Sequence, residues 1–248
     1  MKKKNYALII QARLKSKRFP DKILKKIGKK EILSIMLSRL KKNFKKNIII
    51  AVSNNNCEKI IKICKKQNVK YFVGSDNNVL ERYYKCALKN KINTVVRIPS
   101  DCPLIDPAII KKGIKIFFSK KVDYVSNLMP ASYIDGNDVE VFSIETLSKI
   151  YNNAKSKFDK EHVTTYLRRN KKIFKIINFK SGENLSLKYR LTLDYSEDLD
   201  VIKKILNNKS ILLNYNSIKH IFKNNQEISK INKKFIGTMW YQKKKLNS

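Results

Sequence analysis

At 248 residues, 42% of them hydrophobic and 10% aromatic, the chain can bury one sizeable core, and its composition excludes a disordered polymer. No apolar run approaches the roughly 20 residues that a bilayer span needs, so no membrane insertion is expected. The formal net charge is +35, yet only eight of the 55 basic residues are Arg and the Lys are scattered over nearly every segment. A nucleic-acid surface gathers its charge on one face and includes Arg for bidentate contacts. The scatter here reads instead as a drift of the whole composition, with no specific nucleic-acid partner and a field that still draws polyanions such as nucleotides.

The opening MKKKNYALIIQARL has the charge of a signal peptide, but its apolar stretch is short and broken by Gln11 and Arg13, so it reads as a first strand. Further strands are predicted at Asn47–Val52, Lys70–Phe72, Thr94–Ile98 and Val122–Val125. Helices fit between them at Glu31–Lys42, Asn56–Gln67, Asn77–Asn90 and Pro107–Phe118. This alternation implies βαβ units: an α/β fold with a doubly wound, mostly parallel sheet. The second half reads as an irregular α+β insertion. Strand-like runs at Val139–Ser143, Ile173–Phe179 and Leu187–Leu193 mix with helices near Ser143–Asn153, Asp159–Asn170, Ser196–Leu206 and Asn216–Lys223. A basic tail after Lys233 carries the only Trp, Trp240, and is expected to dock. Cys57, Cys64, Cys86 and Cys102 form no CxxC pair and have no His cluster nearby, which points to reduced thiols and a cytoplasmic protein.

Three segments can carry chemistry. The connection from Ala12 to about Lys30 is far longer than an ordinary βα loop and holds Arg13, Lys15, Lys17, Arg18 and Lys22. At the carboxyl edge of a parallel sheet, such a loop suits a triphosphate; a solvated basic loop would look the same. After Thr94–Ile98, the run PSDCPLIDP places Asp101 and Asp106 in a stretch stiffened by three prolines, where a carboxylate can meet a metal with little slack. The plainer reading is a turn before a helix starting at Pro107. If the first and fourth of the main strands are neighbours, the two loops face each other. Asp194, in RLTLDYSEDLD, ends an apolar run ahead of an expected Ser196 N-cap, with Glu197 and Asp198 matching the helix dipole.

The segments IIQARLKSKRFPDKIL, GSDNNVLERYY, VVRIPSDCPLIDP, DYVSN, YIDGNDVEVF, DKEHVTTYL and YRLTLDYSEDL, in this order, resemble the spore-coat-polysaccharide type of cytidylyltransferase. That group is related to the CMP-acylneuraminate and CMP-3-deoxy-octulosonate synthetases. The blocks run from Ile9 to about Leu199. The resemblance implies the nucleotide-diphospho-sugar transferase fold in a single domain, with a nucleotide-binding half over about 1–125 and a sugar-binding and dimerisation half over about 126–248. It implies CTP and a sugar, an acidic keto-sugar by analogy, as substrates for surface polysaccharide biosynthesis, with Mg²⁺ as cofactor.

Residue by residue, the resemblance makes Arg13, Lys22 and Asp101 catalytic. Nucleotide contacts fall on Ala12, Arg13, Ser16, Arg18, Lys22, Ser75, Arg82 and Arg97, and metal ligation on Asp101 and Asp194. Arg82 and Arg97 can instead pair with carboxylates. Asn127, Asp135, Glu140, Glu161 and His162 are candidates for the sugar; Asp135, Asp138 and Glu140 can bind sugar hydroxyls or support the metal, or be turn residues leading into a strand. Arg168 and Arg169 read as helix C-terminal residues. The chain departs from the family at Lys15-Ser16, where Gly-Ser is usual, and at Pro99-Ser100, where Thr-Gly is usual. A homodimer is expected through Ile134–Lys180, read as unnecessary to the sheet. The rival readings are a transferase using another nucleotide, a nucleic-acid-binding protein, and a glycosyltransferase whose Asp-x-Asp would be Asp198-Leu199-Asp200.

Overall fold

The alternation of the first half is carried directly into three dimensions. The structure is a computed structural model that describes residues 5–208 and 213–238; the tail with Trp240 lies outside the described residues. In chain order the elements begin with β1 (Tyr6–Ala12), a short hairpin of β2 (Lys26–Ile27) and β3 (Lys30–Glu31), α1 (Ile32–Phe44), β4 (Ile48–Ser53) and α2 (Glu58–Lys66). They continue with β5 (Lys70–Gly74), α3 (Val79–Lys89), β6 (Thr94–Pro99), α4 (Pro107–Ser119) and β7 (Tyr124–Ser126). The second half adds β8 (Glu140–Ser143), α5 (Ile144–Asn153), α6 (Lys157–His162), α7 (Thr165–Arg169), β9 (Ile176–Asn178), α8 (Ser196–Leu206), α9 (Tyr215–Asn224) and α10 (Gln226–Lys230).

Seven strands form one sheet in the order β5-β4-β1-β6-β8-β7-β9. All run parallel except β8, which is antiparallel to both β6 and β7. Successive side chains of β1 alternate between faces. Leu8 and Ile10 pack with α1, α2 and α4, while Ala7 and Ile9 pack with α3, α5 and α7. A third cluster joins Ile32 and Leu104 to Leu191, Leu193, α8 and α9. Each fully buried Leu or Ile contributes about 1.5–3 kcal/mol relative to exposure, so both faces of the central strands are committed to the core.

The second half corrects the sequence reading in several places. The region Ile134–Lys180 is not dispensable to the sheet, since it supplies β8, wedged between β6 and β7, and the edge strand β9. Buried Asn127 makes that insertion possible: its amide donates to the Asn137 carbonyl and accepts from the Val139 N–H, folding the chain back so that β8 runs antiparallel. The expected helix over Asp159–Asn170 is broken into α6 and α7 at Val163, a buried β-branched residue at φ 66°. The break lets the Thr164 hydroxyl bond Glu140 and the Thr165 hydroxyl bond Asp159. Leu187–Leu193 forms no strand; a lone bridge pairs Asp135 with Arg190. The N-cap of α8 is Tyr195 and not Ser196, with Asp198 accepting from the Tyr195 N–H.

Gly136 sits at φ 99° beside that bridge, and a Cβ there would lie 2.8 Å from the Leu191 carbonyl carbon. Gly136→Ala should therefore destabilise the fold by about 1–3 kcal/mol in urea denaturation. Gly182→Ala, with open space around it, should stay within about 0.5 kcal/mol of the parent.

Candidate active site

Strand order reverses at β1: the chain runs outward through β4 and β5, then returns to add β6 on the other side. Loops leaving the carboxyl ends of β1 and β6 thus face each other across the crevice where α/β sheets bind ligands. The first loop is pinched shut by a hydrogen bond from the Asp21 N–H to the Leu14 carbonyl and ends with Asp21 in the left-handed region at φ 53°. A single 3-10 turn, Lys22–Leu24, then aims Lys22 inward. The Asp101 loop leaves β6, and its carbonyl accepts from the Leu193 N–H at 2.8 Å. That bond brings the following residue, Asp194, alongside.

The three side chains meet. Lys22 Nζ is 2.7 Å from Asp101 Oδ2 and 2.7 Å from Asp194 Oδ1, and Arg18 donates to Asp194 Oδ2 at 2.6 Å. Burial works against the Lys22 charge, but Asp101 and Asp194 outweigh it and hold the ammonium pKa above its ordinary value. Asp101 is the converse case: burial pushes its carboxyl up, and Lys22 more than reverses the shift, leaving it below the usual range.

Behind this trio stands a guanidinium that the sequence reading passed over. Arg190 is fully buried and reaches Asp135 at 2.9 Å, Asp198 at 2.9 Å and Asp194 at 3.4 Å. The Asn232 amide donates to the Asp198 carboxylate, tying a residue near the end of the described chain to the same cluster. Asp198 is therefore a buried partner of Arg190 and the α8 capping carboxylate, not simply a dipole-matching residue. Asp200, two positions on, faces solvent beside Lys203. The two members of the Asp-x-Asp motif thus point apart and do not form one metal site.

Several expected ligand contacts are committed to the protein interior. Arg97 and Glu140 are register partners on β6 and β8, 4% and 1% exposed, and form an ion pair with each other. Glu140 also accepts from Arg168, Tyr124 and Thr164. Burial alone would raise the Glu140 pKa; Arg97 and Arg168 override it and hold the pKa at about 2. The assignments of Arg97 to the nucleotide and Glu140 to the sugar are corrected accordingly, and Arg168 is a core ion-pair partner. Asn127 is occupied by the β8 turn, and Asp135 by Arg190 and Thr192. Arg168 and Arg169 close α7 as expected, and the exposed Arg169 guanidinium donates to both oxygens of Asp159.

The remaining candidates line the crevice and its rim. Ala12 closes β1, and Ser16 accepts from the Phe19 N–H inside the loop. Ser75, after β5, accepts from the Asn78 N–H, and its carbonyl takes a hydrogen bond from Arg82. Next to it Asp76 accepts from Ser53 at 2.5 Å and lies 4.0 Å from Lys15, an acidic position that nothing in the sequence pattern had singled out. Arg13 and Glu161, both about half exposed, pair at 3.0 Å and bring α6 to the loop. His162 follows Glu161 and packs on Phe158.

Burial is the main force on His162 and pushes its pKa down to about 4; Arg97 and Arg13 act in the same direction, and Glu161 opposes them. A histidine that is neutral when folded and protonates near 6.5 when unfolded contributes stability above that pH, and the contribution is lost as pH falls toward 4. NMR should show a neutral His162 imidazole at pH 6. His162→Gln should flatten the fall of the melting temperature between about pH 6.5 and 5, a window set by that unfolded pKa.

Comparison with known proteins places this geometry in a family. The chain is 37% identical over 193 residues to the uncharacterized protein MJ1063 of Methanocaldococcus jannaschii, covering 77% of this chain and 78% of that one. It is 30% identical over 204 residues to the spore coat polysaccharide biosynthesis protein SpsF of Bacillus subtilis, covering 79% and 84%. Among solved structures, a cytidylyltransferase from Leptospira borgpetersenii superposes with a TM-score of 0.87 at 30% identity, over 91% of this chain and 96% of that one. Residues 7–231 match the family model described as cytidylyltransferase. The chain is a nucleotidyltransferase and belongs to the cytidylyltransferase family.

Proposed function

We propose that the protein transfers a cytidylyl group from CTP to a sugar hydroxyl and releases pyrophosphate, with an acidic keto-sugar as acceptor in surface polysaccharide synthesis. The observation that carries this reading is the convergence of Asp101 and Asp194 on one cationic group, at the sheet edge where a basic loop can hold a triphosphate. Two carboxylates offer the hard oxygen donors that Mg²⁺ prefers, and one oxygen of each already lies 2.7 Å from a shared cation. The pair therefore fits a divalent ion, which when bound would neutralise charge on the phosphate oxygens.

The chain's own groups do the rest. Arg13, Arg18 and Lys22 stand where they can stabilise the charge that grows on the departing pyrophosphate. The sugar hydroxyl attacks the α-phosphorus in line, so alignment of the two substrates supplies much of the acceleration and no covalent enzyme intermediate is needed. Ser75 and Arg82 face the nucleotide. Arg82 is almost fully buried, its Nε makes no hydrogen bond, and among the described residues it forms no ion pair, which suits an anionic guest. Burial, its main perturbation, lowers the guanidinium pKa to about 10, and it remains a cation at neutral pH. Glu161 and His162, brought over the loop by α6, serve the sugar side, where a neutral imidazole can accept the hydrogen bond of the attacking hydroxyl.

CTP with Mg²⁺ should raise the melting temperature more than ATP, GTP or UTP does. Pyrophosphate should appear only when CTP and a sugar acid or sugar phosphate are both present. Equal protection by all four nucleotides, or stronger protection by UTP, would remove the cytidylyl assignment. Asp101→Asn and Asp194→Asn should each lower turnover by roughly 10²-fold, about 2.7 kcal/mol of transition-state stabilisation. Asp106→Asn should leave turnover near the parent value, because Asp106 caps α4 by accepting from the Ala108 N–H.

A further inference from the structure

Lys22 occupies the space between the two carboxylates assigned to the metal. Its ammonium takes one oxygen of Asp101 and one of Asp194, each at 2.7 Å. The other oxygen of Asp194 is held by Arg18 at 2.6 Å and Arg190 at 3.4 Å. Asp101 and Asp194 thus already have Lys22 and Arg18 as partners, while Arg190 is matched chiefly by Asp135 and Asp198. A divalent ion arriving alone must displace Lys22, leave that ammonium without a partner and take its place beside Arg18 and Arg190, in a setting shielded enough for repulsion to count: the Lys22 side chain is 12% exposed and that of Asp194 5%. A triphosphate changes both conditions, since it brings several negative charges and offers the displaced ammonium new oxygens.

We propose that Lys22 is an internal counter-cation that keeps divalent metal off Asp101 and Asp194 until nucleotide arrives, so that metal and nucleotide enter together. The idea rests on the reading of Asp101 and Asp194 as the metal pair. Lys22 is placed for such an exchange, because its turn directly follows the loop that carries Arg13 and Arg18, the other phosphate-binding candidates. By linkage, the factor by which nucleotide strengthens metal binding equals the factor by which metal strengthens nucleotide binding.

Titration of the full chain with Mn²⁺, followed by the EPR signal of the free ion, tests the proposal. Wild-type protein should bind Mn²⁺ weakly alone and roughly 5–150-fold more tightly when saturated with CTP. Lys22→Met should bind Mn²⁺ without nucleotide more tightly than wild type and lose most of the enhancement by CTP. Its melting temperature should rise on addition of Mn²⁺, because the ion then replaces the ammonium lost from between Asp101 and Asp194. Unchanged or weaker Mn²⁺ binding by Lys22→Met overturns the proposal. So does a wild-type protein that binds Mn²⁺ equally well with and without CTP, a comparison that stands even if the variant does not fold. If Lys22→Met binds Mn²⁺ but adding Asp101→Asn or Asp194→Asn leaves that binding unchanged, the metal pair itself is wrong and the exchange falls with it.

Discussion

A guanidinium with no exposed surface is the constraint around which the second half of this protein is arranged. Arg190 must keep its charge where water cannot reach it, and it does so by drawing in Asp135, Asp198 and Asp194. A buried charge stripped of its partners would cost several kcal/mol, so the segments bearing those carboxylates are bound to one another's positions. Asp135 lies in the turn before β8, Asp198 opens α8, and Asp194 enters the crevice. The orientation of the proposed metal ligand Asp194 is thereby set from behind, by a buried ion cluster.

A second buried cluster does the same on the other side of the sheet. Glu140 on β8 gathers Arg97 from β6, Arg168 from α7 and hydroxyls from Tyr124 and Thr164. The odd antiparallel strand is thus held by charge as well as by its ladder. His162 lies close enough to feel Arg97 and Arg13, which links this interior cluster to the rim of the crevice. The two clusters leave few arginines for solvent: of the eight, Arg97, Arg168 and Arg190 are internal ion-pair partners, and the surface charge is overwhelmingly Lys.

The first half was legible because its apolar periodicity is local. Every helix and strand expected up to Val125 is present with its ends moved by a few residues, and β1 does lie beside β6. Asp101, Asp194, Lys22 and Arg18 were named from ordered motifs, and the fold brings those four side chains together. The failures share a cause: they depend on partners distant in sequence. Nothing near Arg97 or Glu140 announces that an antiparallel strand will place them face to face. Val163 at a left-handed φ contradicts its own propensity and is tolerated only because Thr164 and Thr165 gain buried acceptors. Arg190 offered one usable signal, as a rare Arg four residues before a suspected ligand, in a run too alternating to end in solvent.

The place of β8 in the sheet has a consequence for how the molecule assembles. A division of the chain near residue 125 falls inside β7, and β7 joins the older strands only through β8, which is made later. An emerging chain therefore holds an exposed edge at β6 until residues beyond 140 arrive, and Asp101 and Asp194 stay apart until Leu193 reaches the Asp101 carbonyl. Contacts of such long sequence separation are made at a high entropic cost and slow the search for the native state. The acidic pair completes only when these distant segments have docked, so a chain stalled partway through folding lacks the proposed metal site.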